Sequence, residues 1–416
     1  MCGRNVKKLS FFLLLISAFS FFLSEPLFAE SKISPQFKNR HYKDLEWNIF
    51  PVPIFKTSPS EGETYGVLPV VFGTDPEGNL KSFVALAGMY NEVTGFDGFV
   101  AAYVYPDKDT AFDVFAEIAE HFSKELTVHF QRGPKRKGAF VLENELGYIQ
   151  YPFERFYGFG PYSLQANESN FVSEKFTAQA LLGYHLTRDI VFAYQAQFEG
   201  WKIQQKALGS LPDTLQLFPN DAEVRNSSHL LNTFLFTYDT HEDPVFPEHG
   251  EKLSLEYLFA HKRFGSDSSF HGYDLNSKIT RSVQNGKYTT VLGFKFSQRF
   301  GKTIPFYLQS QLGGFETLRA FVERRFVARN RFTFDLEERI ELASWNIMAT
   351  NVEISLDPFF SIGQVFDTFS QVETSALQPV GGIGLRIKAK PSVVGRLDIG
   401  YGREGVAASA TIDYPF

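Results

Sequence analysis

The chain of 416 residues holds a single cysteine, Cys2, close to its start. It therefore has no internal disulfide and no cysteine-based metal or redox motif. Methionine and tryptophan are also scarce, at 3 residues each. After the N-terminal segment no run of ~18 apolar residues occurs, which excludes a transmembrane helix. A Gly-x-Ser-x-Gly elbow, a His-Glu-x-x-His pair and a P-loop lysine motif are all missing. Without them the sequence offers no catalytic constellation, and neither an enzyme, a cofactor nor a metal is expected. The net charge of −6 lacks the basic excess that bulk nucleic-acid binding requires, so no nucleic-acid partner is expected.

What is abundant is aromatic. The 46 Phe and 18 Tyr in a chain that is 44% hydrophobic favour strands over helices. At the start, Arg4, Lys7 and Lys8 precede the apolar "LSFFLLLISAFSFFL", and "SEPLFAES" follows. This is the layout of an export signal over 1–29, cleaved after Ala29. Its removal takes away the only thiol. Residues 30–63 include "SPQFKNRHYKDLEW" and "FPVPIFKTSPSEG", too short and too rich in proline and polar residues to fold alone. They read as an extended periplasmic tail.

From Thr64 to Phe416 apolar and polar residues alternate. "KELTVHFQ" sets Leu126, Val128 and Phe130 against Glu125, Thr127, His129 and Gln131. "RFTFDLEERI" places Asp335, Glu337 and Arg339 on one face. These runs reach ~10 residues with charges in mid-strand, which suits a tilted membrane strand facing a wet lumen better than a soluble sandwich. Seventeen strand-like segments run from 64–73 to 405–416. Bacterial barrels have an even number, so one N-terminal segment is expected not to be a separate strand. The fold class is all-β, a transmembrane antiparallel β-barrel occupying 64–416. The final strand ends on Phe416, with no polar tail.

Three stretches interrupt the rhythm: "RFYGFGPYS" (155–163), "DTHEDPVFPEHGEKL" (239–253) and "GGFETLRAFVERRF" (313–326). The second holds Asp239, His241, Glu242, Asp243, Glu248 and His249, read as a turn rather than a cation site. With "FFSIGQVFD" (359–367) and "GGIGLRIKAKPSVVGRLDIGYG" (381–402), the ordered set resembles the barrel domain of the BamA/TamA superfamily, the bacterial surface antigen family. "DTHEDPVFPEHG" is similar to that family's Asp-Thr-Arg-Asp-x-Pro-x-Phe-Pro-x-x-Gly turn. "LRAF" falls where the family carries Val/Ile-Arg-Gly-Phe/Tyr, at the tip of a long loop folded into the barrel.

The resemblance implies about sixteen strands, an inward-folded extracellular loop and a place in the bacterial outer membrane. It implies a loop lock of Arg319 and Phe321, with Gly313 and Gly314 as hinge. Glu337 and Glu338 are the carboxylate candidates for Arg319, and alternation favours Glu337. Two family positions differ: the glycine after the arginine is Ala320, and a strand aspartate is Ser361, with Asp367 as a substitute. The tail 30–63 cannot build the family's POTRA domains. The implied function is to aid insertion or translocation of proteins or lipids, with outer-membrane lipid and periplasmic or membrane proteins as partners and a monomeric barrel. A passive or gated channel is the alternative. A weakly paired lateral seam between "TYGVLPVVFG" and "VAASATIDYPF", softened by Pro69 and ending at Phe416, would serve the first function.

Overall fold

The computed structural model of the protein describes residues 45–413, apart from 59, 77–79, 220, 222, 242–246, 285, 348–349 and 390–392. The signal expected at 1–29, residues 30–44 of the expected tail and Phe416 lie outside the described residues. The strands are β1 Glu46–Ser58, β2 Gly62–Thr74, β3 Leu80–Asn91, β4 Gly95–Asp107, β5 Thr110–Ala119, β6 Lys124–Arg132 and β7 Phe140–Phe156. They continue with β8 Ser169–His185, β9 Ile190–Gln204, β10 Ser227–Asp239, β11 Gly250–Ala260, β12 Phe270–Val283 and β13 Tyr288–Gly301. The chain then forms β14 Ser310–Leu312, β15 Phe326–Ala328, β16 Asn330–Ile347, β17 Thr350–Phe366, β18 Gln378–Ala389, β19 Val393–Gly402 and β20 Gly405–Asp413. Consecutive strands pair antiparallel into one closed ring of eighteen, while β14 and β15 form a separate ribbon within the loop joining β13 to β16.

The count corrects two readings of the sequence. All seventeen segments from residue 64 onward are separate strands. The odd number arises because one strand was missed, not because one was surplus. The missing strand is β1, inside the stretch read as a tail. It pairs with β2 along its whole length, from Glu46↔Thr74 to Ser58↔Gly62. Pro51 and Pro53 disguised it. In an antiparallel ladder opposite residues point their N–H groups either toward each other or both away. Pro51 stands opposite Pro69, so the missing donors of these two prolines fall on one rung.

Alternation then sorts the faces. Val67, Leu86, Phe112, Leu126, Phe192, Phe234, Leu255, Phe294, Phe334, Phe360, Ile383 and Ile399 are all exposed on the outside. An apolar belt contributed by nearly every strand is what lipid, not water, tolerates. No helix among the described residues is long and apolar enough to cross a membrane. The inward face changes character around the ring. On β2 to β4, Leu68, Val70, Phe83, Ala85 and Ala101 form a buried apolar cluster. From β11 to β19 the inward face carries Lys278, Asp335, Glu337, Arg339, Asp357, Arg386 and Asp398.

Long connections gather at one end: 157–168, 205–226, 261–269, 302–329 and 367–377. The first two, through Phe159, Phe218 and Val224, pack with Phe306, Tyr307 and Val327 of the fourth and with Phe156, Phe171 and Trp201 at the strand ends. Trp201 stacks on Tyr307 with ring centroids 4.4 Å apart. Asn170, fully buried, donates to Pro152 O and Glu154 O at 2.9 Å and accepts from Ala207 and Leu208 N–H. These contacts make the loop end a lid over the ring.

Candidate functional site: the inward-folded loop

The loop 302–329 leaves β13, makes the β14–β15 ribbon and turns back at Gly313 and Gly314. Both glycines have left-handed backbone, with φ of 118° and 92°, a region closed to most residues with a Cβ. Space forbids a side chain as well. A Cβ on Gly313 would stand 2.2 Å from Val322 O, and one on Gly314 would stand 2.5 Å from a Glu323 carboxylate oxygen. Thr317 closes the turn, donating to Gly313 O and accepting from Gly313 N–H, both at 3.0 Å.

The loop tip is buried. Leu318, Ala320 and Phe321 join Leu312, Phe326, Ala328, Phe359, Val365 and Val380 in one apolar cluster. Burying Phe321 alone is worth about 1.5–3 kcal/mol. Ala320 occupies the position where a glycine was expected. It is absent from the residues with positive φ, so its methyl group carries no backbone strain. The tip lies against two glycines of β19: a Cβ on Gly400 would sit 3.2 Å from Ala320 N, and one on Gly402 would sit 3.1 Å from the Ala320 Cβ. The small residues needed for close approach are therefore on the wall as well as on the tip.

Arg319 lies over the Phe359 ring at 4.1 Å and donates through Nη2 to Glu337. Glu337 is 5% exposed and also receives Arg339 at 2.8 Å and Arg386 at 3.1 Å. Three guanidinium groups thus share one carboxylate. Arg386 also lies 3.1 Å from Asp357, while Asp398 stands 3.6 Å from Arg319 and 2.6 Å from Arg396. Charge-assisted pairs of this kind are the strong ones in a protein-walled lumen, and the planar fork makes them directional.

Other expected residues go elsewhere. Glu338 points to the outer side and accepts from Thr290 at 2.6 Å, because the strand period of two puts 337 and 338 on opposite faces. Asp367 does not replace the missing aspartate. It lies at the end of β17, where its carboxylate accepts from Arg329 N–H at 3.3 Å and its carbonyl from the Asn330 side chain. Ser361 is buried opposite Asp335. Pro69 lies inside the β1–β2 hairpin, so it is not at the ring's junction, where the strand meeting β20 is β1. In the 239–253 turn, His241 contacts Asp239 at 2.8 Å and Thr280 at 3.4 Å.

Sequence reasoning missed Arg339, Arg386, Asp357, Arg396 and Asp398 as parts of this network. Their signal was charge in mid-strand at alternate positions, as in Arg396 and Asp398. What the sequence did not give is which strands face one another across the lumen.

The sequence pattern of the Omp85 superfamily domain matches residues 122–405, from β6 to the start of β20. The chain belongs to the Omp85 superfamily. Among solved structures, this Omp85 barrel is similar to BamA from Haemophilus ducreyi lacking POTRA domains 1–3, with a TM-score of 0.53 and 12% identity over 88% of this chain and 75% of that one. CdiB from Escherichia coli has a TM-score of 0.49 and 11% identity, over 88% of this chain and 63% of that one. No curated protein matches the chain in sequence. The superfamily match begins after β1–β5, the strands that carry the apolar inward face.

The other arginines of the loop brace different walls. Arg324, in left-handed backbone, donates to Glu154 of β7. Arg325, 3% exposed, grips Glu404 at 2.8 and 3.0 Å and Ser163 at 2.9 and 3.0 Å, with its guanidinium over Tyr157. Glu404 belongs to the turn between β19 and β20.

Proposed function

We propose that this Omp85 barrel works in the bacterial outer membrane, where it helps insert or move proteins or lipids through a lateral opening between β1 and β20. The observation that carries the reading is the pairing at that junction. Among the described residues β1 and β20 share one register pair, Thr57↔Ala410. Every other neighbouring pair in the ring shares nine or more, as in β19–β20 from Val394↔Asp413 to Gly402↔Gly405. An unpaired backbone group facing hydrocarbon costs several kcal/mol. A sparsely zipped junction is therefore the weak line of the ring, and its free edges suit an added client strand. The braced loop supports the reading too, since it fills the lumen that a wide pore would need open.

The test is a disulfide across the junction. Cysteines at Thr57 and Ala410 stand directly opposite, where Cβ atoms are ~4.5–5.5 Å apart, near the spacing a disulfide tolerates. The double variant is reconstituted in vesicles with an unfolded small outer-membrane barrel as client. Oxidation should abolish assisted insertion, and reduction should restore it. Equal insertion by the oxidised and reduced forms would sink the proposal. A gated channel would instead give steady conductance in planar bilayers, unaffected by the crosslink and enlarged by deleting 313–330.

A further inference from the structure

A cavity of about 400 Å³ opens in the lumen between the loop and the wall of β11, β12, β13 and β16. Six cationic side chains line it: Lys252, Lys278, Lys295, Arg319, Arg339 and Arg396. Its lining holds three carboxylates, Glu316, Asp335 and Glu337. Most of the cations have a carboxylate close by. Lys252 lies 3.5 Å from Asp239, Lys295 4.0 Å from Glu316, Arg339 2.8 Å from Glu337, and Arg396 2.6 Å from Asp398. Lys278 has no ion-pair partner among the described residues. Its cross-strand neighbours are Lys252 on one side and Gly293 on the other. Like charges set directly opposite on adjacent strands destabilise a sheet, and Gly293 brings no side chain to offset them. Two further donors in the network, Arg319 Nη1 and Arg396 Nη2, are buried without a hydrogen-bond partner.

We propose that this cavity binds a phosphate group, held by Lys278 and Lys252 from one wall and by Arg319 and Arg396 from the other. The donors approach from β11, β12, β19 and the loop, which suits a tetrahedral oxyanion better than a planar carboxylate. Guanidinium forks and ammonium groups are the side chains that bind phosphate. The neutral lining of Ser254 and Asn276 supplies further donors. The phosphate belongs either to a lipid headgroup or to a free anion. The inference stands apart from the β1–β20 junction, since the cavity lies on other strands.

The experiment uses the full chain folded in a phosphate-free, uncharged detergent. Inorganic phosphate is titrated at constant ionic strength by calorimetry and thermal unfolding, with acetate as comparison. Saturable phosphate binding with a rise in Tm is expected, along with at least tenfold weaker acetate binding. Lys278→Met should lose at least tenfold in phosphate affinity while unfolding no earlier than the parent in phosphate-free buffer, because it removes a repulsion. Lys278→Arg should keep binding, which separates loss of charge from loss of fold. For the lipid source, phosphatidic acid and diacylglycerol are offered in mixed micelles, and retention is read by mass spectrometry. Retention of phosphatidic acid over diacylglycerol, dependent on Lys278, assigns the group to a headgroup. Phosphate binding without such retention assigns it to a free anion. The proposal is overturned if neither phosphate probe binds, if acetate binds as well as phosphate, or if Lys278→Met binds like the parent.

Discussion

Replacing Glu337 by glutamine keeps the shape of the side chain and removes the charge that three guanidinium groups share. A hydrogen bond to a charged group is worth about 1.5–3 kcal/mol. Three such bonds cannot simply be added, because contacts within one network couple. Arg386 keeps Asp357 at 3.1 Å and Arg319 keeps Asp398 at 3.6 Å, whereas Arg339 has no other ion-pair partner among the described residues. Removing one side of a buried pair typically costs about 3–5 kcal/mol, and E337Q is expected in that range. R319A should cost less. It loses one charge-assisted bond and the contact with Phe359, worth about 0.5–2 kcal/mol, but it relieves repulsion among the remaining arginines. The ordering, E337Q worse than R319A and the double variant far less than additive, is the sharp claim. Urea unfolding of the detergent-folded barrel measures it, read by Trp fluorescence, since Trp201 stacks on Tyr307 under the lid. Trypsin cleavage at Arg324 and Arg325 reports loop release. If E337Q unfolds within about 1 kcal/mol of the parent, or later than R319A, the shared carboxylate is not the centre of the lock and the reasoning fails.

Gly313→Ala should release the loop, because its φ of 118° and the 2.2 Å approach to Val322 O leave no room; trypsin sensitivity should rise with a cost of at least about 1–3 kcal/mol. Ala320→Gly should change stability by about 1 kcal/mol or less, whereas Ala320→Leu should drive the tip off Gly400 and Gly402 and lower Tm markedly. Glu404→Gln weakens the bidentate hold of Arg325 at 2.8 and 3.0 Å. A loss of one to two kcal/mol would raise the population of a detached β19–β20 turn roughly 5–30-fold, read as slower disulfide closure between cysteines at 57 and 410. Burial raises the Glu223 carboxyl above the ordinary 4.5, against hydrogen bonds from Ile304 N–H and Gln309 and the charge of Arg329. The folded state then holds more proton than the unfolded one above pH 4.5, so this group's contribution to stability falls as pH rises through its own raised pKa. Glu223→Gln should flatten that slope in Tm measured from pH 4 to 7.

The fold class was legible because a strand in a lipid-facing ring declares itself twice, with apolar residues at one parity and charge at the other. Where one of these signals faded, the reading faltered. β1 carries Pro51 and Pro53, and proline in a run argues against a strand unless the missing donors fall where the ladder can spare them. That condition depends on the partner, here Pro69 opposite Pro51, which no single segment reveals. At the site, alternation alone separated Glu337 from Glu338, because it needs only one strand. It could not bring Asp398 of β19 beside Arg319, a contact made across the lumen between residues 79 positions apart. The same limit left Ser361 looking like a lost partner, when Asp398 and Asp357 supply carboxylates from neighbouring parts of the wall.

The four arginines of 313–329 are then not one basic patch but four separate braces. Arg319 reaches β16 and β19, Arg324 reaches β7, Arg325 reaches the β19–β20 turn and the 157–168 loop, and Arg329 lies 3.9 Å from Glu223 in the 205–226 loop. A single surface salt bridge is worth little, but these are buried or half-buried and converge on one short segment, so ordering that segment once serves several contacts. Two of the braces act on the β19–β20 hairpin from inside, and Gly400 and Gly402 admit the loop tip against the same hairpin. On its other edge, among the described residues, that hairpin meets β1 through a single register pair. β20 is thus held firmly by β19 and the loop and weakly by β1. In the proposed opening at this weak line, the side expected to move is the β1–β2 hairpin, while β20 stays with the plug.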